Sequence, residues 1–126
     1  MTESYRFSIV SAGETALNMK TANSKMLRDF FLGVIKIHIL YHANRKDVYG
    51  LWLIEELGHH GYDVSPGTLY PILHKLEKEK LLKSYSEVVE GKVRKYYKTT
   101  PNGVRAMDQV REKILELINE VGLNAN

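Results

Sequence analysis

From Ser24 onward, apolar residues recur at three-and-four spacing. Met26, Leu27, Phe30, Phe31, Val34, Ile35 and His38 form one stripe and predict a helix. Ile37, Leu40 and Tyr41 form a second stripe on another side. A helix that is apolar on two sides must be covered on two sides. One small domain covers one of them; the second asks for a partner. After a polar break over residues 44–47, Asp47 is placed to cap a second helix carrying Val48, Leu51, Trp52, Ile54 and Leu57. Gly58 and Gly61 mark its end.

The stretch SPGTLYPILHKLEKEKLL, residues 65–82, predicts a third helix from about Pro66 to Glu79. Ser65 is a good N-cap, and Pro66 suits the first helical position, where a missing N–H costs nothing. Pro71 is early enough for its lost donor to fall partly among the unpaired ones. Leu69, Ile72, Leu73 and Leu76 share one face. LLKSYSEVV and VRKYYKT then alternate around Glu90-Gly91-Lys92, a β-hairpin signature. Of Tyr96 and Tyr97, alternation assigns one to the core. Thr100-Pro101 repeats the cap-plus-proline start for a last helix running to about Val121, with Gly122 beyond it. Met107, Ile114 and Val121 fall seven apart, as do Val110 and Leu117, giving a short heptad-like seam.

Helix, helix, helix, hairpin and helix is a mainly α chain with a β-hairpin wing: a winged helix-turn-helix plus a C-terminal dimerisation helix. Residues 1–23 read as a polar, partly flexible arm, part-helical from Glu14. Residues 24–100 form the winged helix-turn-helix and 101–126 the dimerisation helix. In this architecture the third helix is the one that enters a DNA major groove.

Composition adds limits. The chain has 126 residues, enough for one domain with one modest core, and a formal net charge of +3. That charge is a mild bias toward anionic partners. With no cysteine, disulfides, zinc–thiolate sites and thiol nucleophiles are excluded. The longest apolar run, Phe30 to Tyr41, is broken by Gly33, Lys36 and His38 and is too short for a bilayer. The opening residues MTESYRFSIVSAGE lack a long apolar core, so no secretory signal, no membrane partner and a cytoplasmic location are expected.

Three segments together resemble the PadR family of bacterial and archaeal transcriptional regulators: VYGLWLIEEL from Val48, SPGTLYPILHKLEKE from Ser65, and RKYYKTTPNG from Arg94. The middle one is the most specific. The resemblance spans about residues 30–121, and the short last helix is similar to that of the small subfamily, which dimerises through it. A glycine is usual in the family where this chain has Lys80. A left-handed backbone there would cost a lysine about 1 kcal/mol; the simpler expectation is that the helix ends differently.

Function follows from the polar side of the third helix. Gly67 lets the helix start approach a phosphate, which its N-terminus favours. Thr68 and Tyr70 can donate hydroxyls, and His74, Lys75 and Lys78 can reach the groove or its walls. The resemblance implies that this helix contacts DNA through Thr68, Tyr70, His74 and Lys75. The wing adds Lys92, Arg94, Lys95 and Lys98; Arg94 and Lys95 point to opposite strand faces, so one of them faces the backbone. Phe30, Val34, Met107, Val110, Ile114, Leu117, Ile118 and Val121 are expected at a two-fold interface. The chain is therefore expected to be a homodimeric regulator of double-stranded DNA, most naturally a repressor, and not an enzyme, since no phosphate loop, nucleophile elbow or triad occurs. The alternative is a winged-helix protein-interaction module without DNA binding. The resemblance implies a possible small-molecule effector, phenolic or hydrophobic, near the dimer interface. Phe30, Phe31, Tyr41 and Trp52 are the aromatics available, although core packing explains them too. No cofactor is expected. His38 and His42, spaced i, i+4, are a possible metal pair, but with no carboxylate placed beside them no metal site is expected.

Overall fold

In a computed structural model of the chain, residues 24–122 are described; the expectations for residues 1–23, and for the chain after Gly122, lie outside them. Helix α1, Lys25–Arg45, is capped by Ser24, whose side chain accepts from the Leu27 N–H at 3.3 Å. A two-residue strand β1, Val48–Tyr49, leads into α2, Gly50–His59. The third helix α3, Pro66–Lys78, is followed by β2, Leu82–Val89, β3, Lys92–Thr99, and α4, Pro101–Glu120. Both proline-started helices have the expected caps: Ser65 accepts from Thr68 N–H at 3.3 Å, and Thr100 from Gly103 N–H at 3.0 Å.

The hairpin turns on Glu90 and Gly91, both at positive φ (52° and 79°), as a two-residue turn matched to strand twist requires. The sheet has three strands in the order β1-β3-β2, all antiparallel. Strand β1 is a correction to the sequence reading, which places residues 48–49 in a helix. Asp47 is a second correction. It does not cap α2, whose N-cap is Tyr49 without a side-chain bond; its carboxylate accepts instead from the Tyr85 hydroxyl. That bond lies across the sheet and pushes the Tyr85 pKa up to about 12.

The core gathers Ile35, Ile39, Leu40 and Ala43 of α1, Leu53 and Leu57 of α2, the α3 leucine face, and Val48, Leu82, Tyr97 and Met107. Tyr97, not Tyr96, is the core tyrosine, at 1% exposure. Thr99 is buried with its hydroxyl donating to the Leu40 carbonyl at 2.8 Å, so the last wing residue is tied to α1.

Helices α2 and α3 end in the same way. After α2, Tyr62 N–H reaches Leu57 C=O and Gly61 N–H reaches Gly58 C=O. After α3, Leu81 N–H reaches Leu76 C=O and Lys80 N–H reaches Glu77 C=O, each at 2.9 Å. Both are Schellman turns, which need a left-handed residue before the last donor. Gly61 supplies it at φ 91° in one case; in the other it is Lys80, at φ 66°. The helix therefore does not end differently from a glycine-terminated one, and the lysine bears the strain. Lys80→Gly should raise stability by about 1 kcal/mol, read as a higher urea midpoint at unchanged slope. A lower midpoint would show that Lys80 makes compensating contacts.

Candidate nucleic-acid interface

The apolar face of α3 is sealed: Leu69, Ile72, Leu73 and Leu76 are each at most 8% exposed. With that face anchored, helical geometry places the intervening residues outward. Gly67, Tyr70, Pro71, His74, Lys75 and Lys78 are exposed and Thr68 is half-buried. Gly67 sits in the first turn, where unpaired N–H groups and the helix dipole favour a phosphate. The Thr68 hydroxyl accepts from Ser65 at 3.4 Å, so part of its capacity is used in the cap.

Tyr70 is held from behind. A β-carbon on Gly50 would collide with the Tyr70 hydroxyl and ring. The glycine of VYG thus lets the tyrosine lie on the first turn of α2, leaving it 37% exposed. Gly50 was missed in the sequence as a site residue, and the motif itself was the only signal for it. Gly103 does the same at the other end: its missing side chain makes room for Leu81 C=O and the Thr99 methyl.

The wing separates its two central cations. Arg94 lies over the Tyr49 ring, its guanidinium carbon 4.0 Å from the centroid, and donates to the Tyr96 hydroxyl at 3.5 Å. Tyr49, Tyr85 and Tyr96 form one aromatic row across the sheet, with ring centroids 5.5–5.6 Å apart. Lys95 is on the other face, toward α3, with its ammonium 4.0 Å from the Glu77 carboxylate. Lys92 opens β3 beside the turn and is exposed, as is Lys98. The cation on the recognition-helix side is therefore Lys95, while Arg94 is packed against tyrosines.

A seventy-one-residue stretch, 39–109, matches the model of the Transcriptional regulator PadR-like family. The chain belongs to that family. It is similar to the Transcriptional regulator Rv3488 of Mycobacterium tuberculosis, 47% identical over 95 residues, which cover 75% of this chain and 89% of the relative. Among solved structures, it resembles a PadR family transcriptional regulator from Eggerthella lenta, with 32% identity and a TM-score of 0.71 over 86% of this chain and 98% of that one. A PadR-like transcription factor from Bacteroides fragilis aligns with a TM-score of 0.70 at 27% identity, over 81% and 100% of the two chains. This PadR-like chain is thus a DNA-binding transcriptional regulator with a winged-helix fold and not an enzyme. No described helix is long and apolar enough to cross a membrane.

The expected interface residues do not behave alike. Phe30 is 60% exposed, and Val110, Ile114, Leu117 and Val121 are also exposed; Val34 and Ile118 are half-buried. Met107 is a correction: it is 6% exposed and belongs to the subunit's own core, so no partner is needed to cover it. Leu115, at 57% exposure, joins the open apolar surface unforeseen.

Between α1 and α4 lies a cavity of ≈ 620 Å³. Val34, Ile37, Tyr41, Met107, Val110 and Ile114 form its apolar walls; His38, His42, His60, Glu56 and Arg111 are its polar groups. Of the four aromatics expected near an effector, only Tyr41 reaches it. Phe31 packs edge-on against Tyr62, and Trp52 lies beneath His42 and Lys46. The cavity also overturns the reason for setting His38 and His42 aside. Glu56 arrives from α2, with a carboxylate oxygen 3.7 Å from His42 Nε2 and 3.3 Å from His60 Nε2. Burial, then the neighbouring His60 and His42, pulls the His38 pKa down to about 4. Burial also lowers His42, against the opposing pull of Glu56.

The Gly50–Tyr70 contact generates a test. Gly50→Ala must displace the Tyr70 ring, so affinity for a promoter fragment should fall about tenfold, or about 1.4 kcal/mol, with the helical circular dichroism retained. Unchanged affinity in Gly50→Ala would mean that Tyr70 does not contact DNA.

Proposed function

We propose that this PadR-like regulator is a cytoplasmic homodimeric repressor of a near-palindromic operator, relieved by a small hydrophobic or phenolic ligand. The observation that carries the reading is α3 itself. It is anchored on one face, and its other face is left to Tyr70, His74, Lys75 and Lys78, with Lys95 beside it on the wing and Lys92 exposed next to the wing's turn. Gly67, Thr68 and the first-turn N–H groups would hold phosphate while the middle of the helix reads the groove. Arg94 would support the wing through Tyr49 and Tyr96 and reach a phosphate only on that outer face.

Pairing is supported by apolar surface on α1 and α4 that the described residues of the subunit leave uncovered. Met26, Leu27, Phe30, Val110, Ile114, Leu115, Leu117 and Val121 are all at least 36% exposed. Covering the open part of each is worth about 1 kcal/mol, and two copies together gather on the order of 15 kcal/mol. Association costs about 4–15 kcal/mol. Two-fold pairing through these helices would set the recognition helices about 34 Å apart, one DNA turn. The α1–α4 cavity would then border the interface, where a ligand filling it alters the spacing of the two halves.

Light scattering at micromolar protein should give twice the 14.5 kDa chain mass; a clean monomer would remove the dimer from the proposal. Binding to the protein's own promoter fragment should be strong at about 50 mM salt and weaken steeply as salt rises, because phosphate contacts release counterions. Lys75→Ala should lower affinity and flatten the salt slope by about one ion. Undetectable binding at low salt would overturn the operator reading, and an unchanged slope would move Lys75 off the interface.

A further inference from the structure

We propose that His38, His42 and His60, together with the Glu56 carboxylate, form a site for a divalent transition-metal cation of the zinc type in the wall of the α1–α4 cavity. The three imidazoles each offer a ring nitrogen, and these atoms all lie within 4.8 Å of one another. His38 and His42 are one turn apart on α1, with parallel rings (12° between planes); His60 caps the C-terminus of α2, its ring centroid 4.8 Å from that of His38. A tetrahedral zinc with bonds of about 2.0–2.1 Å holds its ligand atoms about 3.3 Å apart. Glu56 already stands at that spacing from His60, at 3.3 Å, and close to it from His42, at 3.7 Å. The remaining contraction lies within the histidine trio, from at most 4.8 Å between ring nitrogens, and His60 is 43% exposed at the end of its helix.

A second observation points to a missing partner. Among the described residues, His42 Nε2 is buried and makes no hydrogen bond; the nearby Glu56 carboxylate oxygen, at 3.7 Å, is beyond hydrogen-bonding distance. A buried polar atom left unsatisfied destabilises the fold unless something satisfies it. One cation would satisfy it and neutralise the buried side of Glu56 at the same time. Three nitrogens and one carboxylate suit zinc and its late first-row neighbours; magnesium and calcium prefer all-oxygen sites. The cavity provides the entry path. Bound there, the cation clamps α1 to the end of α2, the helix that precedes the recognition helix.

The test uses the untagged full chain, stripped with chelator and free of DNA, so it stands apart from operator binding. Zn²⁺ is titrated calorimetrically, and Co²⁺ is followed by its visible d–d absorption. One tight cation per chain is expected, with the intense visible bands of four-coordinate cobalt. His60→Ala, at a surface position that cannot unfold the core, and His42→Gln should each weaken Zn²⁺ binding by at least about tenfold, since even outer-shell partners are worth 10–100-fold. His59→Ala, on the exposed side of Glu56, should leave it unchanged. No saturable binding, or binding indifferent to both His60→Ala and His42→Gln, would overturn the site.

Discussion

The face of α3 proposed to read DNA depends on burying four side chains of that thirteen-residue helix. Leu69, Ile72, Leu73 and Leu76 are driven into a core that α1, α2 and the sheet supply. Helix propensity could not hold α3 alone: it is short, and it contains two prolines and a glycine. Apolar burial does, and because a helix is stiff, fixing one face aims the other. The polar residues opposite need no contact with the rest of the protein to be well placed. Tyr70 is the exception, and there a glycine at residue 50 lets the outward side chain rest on α2.

A second constraint joins the recognition helix to the helix expected to pair. At Lys80 and Leu81 the chain leaves α3, enters β2 and touches the start of α4. Thr100 O–H donates to Lys80 C=O at 2.6 Å and Thr100 N–H to Leu81 C=O at 3.0 Å, while Gly103 packs directly on Leu81 C=O. The left-handed turn at Lys80 is what points both carbonyls at α4. This accounts for a strained lysine persisting: the surrounding bonds fix the backbone whichever residue occupies it.

Most of the fold was legible in the sequence because its signals are local. Ser65-Pro66 and Thr100-Pro101 announce helices by cap chemistry, and Glu90-Gly91 announces the hairpin by its turn. What failed was set by residues far apart in sequence. Strand β1 exists only because β3 offers Tyr96 and Tyr97 an edge to pair with. Asp47 turns away from α2 because Tyr85, thirty-eight residues on, is a better-placed donor. Met107 sits in a heptad with Ile114 and Val121, and periodicity cannot say where along such a stripe the subunit's own core ends and open surface begins. For the candidate interface, residue type, helical face and the opposite facing of Arg94 and Lys95 were readable, but which of the two lies toward α3 was not: it follows from which sheet face packs against that helix.

The histidines make the same point from the opposite direction. The i, i+4 pair on α1 is visible in the sequence, and one turn of helix suffices to bring its rings together. Glu56 and His60 are also spaced i, i+4, on α2, and neither pair suggests chemistry alone. The crossing of α1 and α2 faces the two pairs toward each other. That crossing is dictated by Ile35, Ile39, Leu53 and Leu57, all fully buried and none of them polar. The apolar core thus assembles a polar cluster as a by-product of its own packing. One buried nitrogen there, His42 Nε2, makes no hydrogen bond among the described residues, which sets the cluster apart from a patch of satisfied surface.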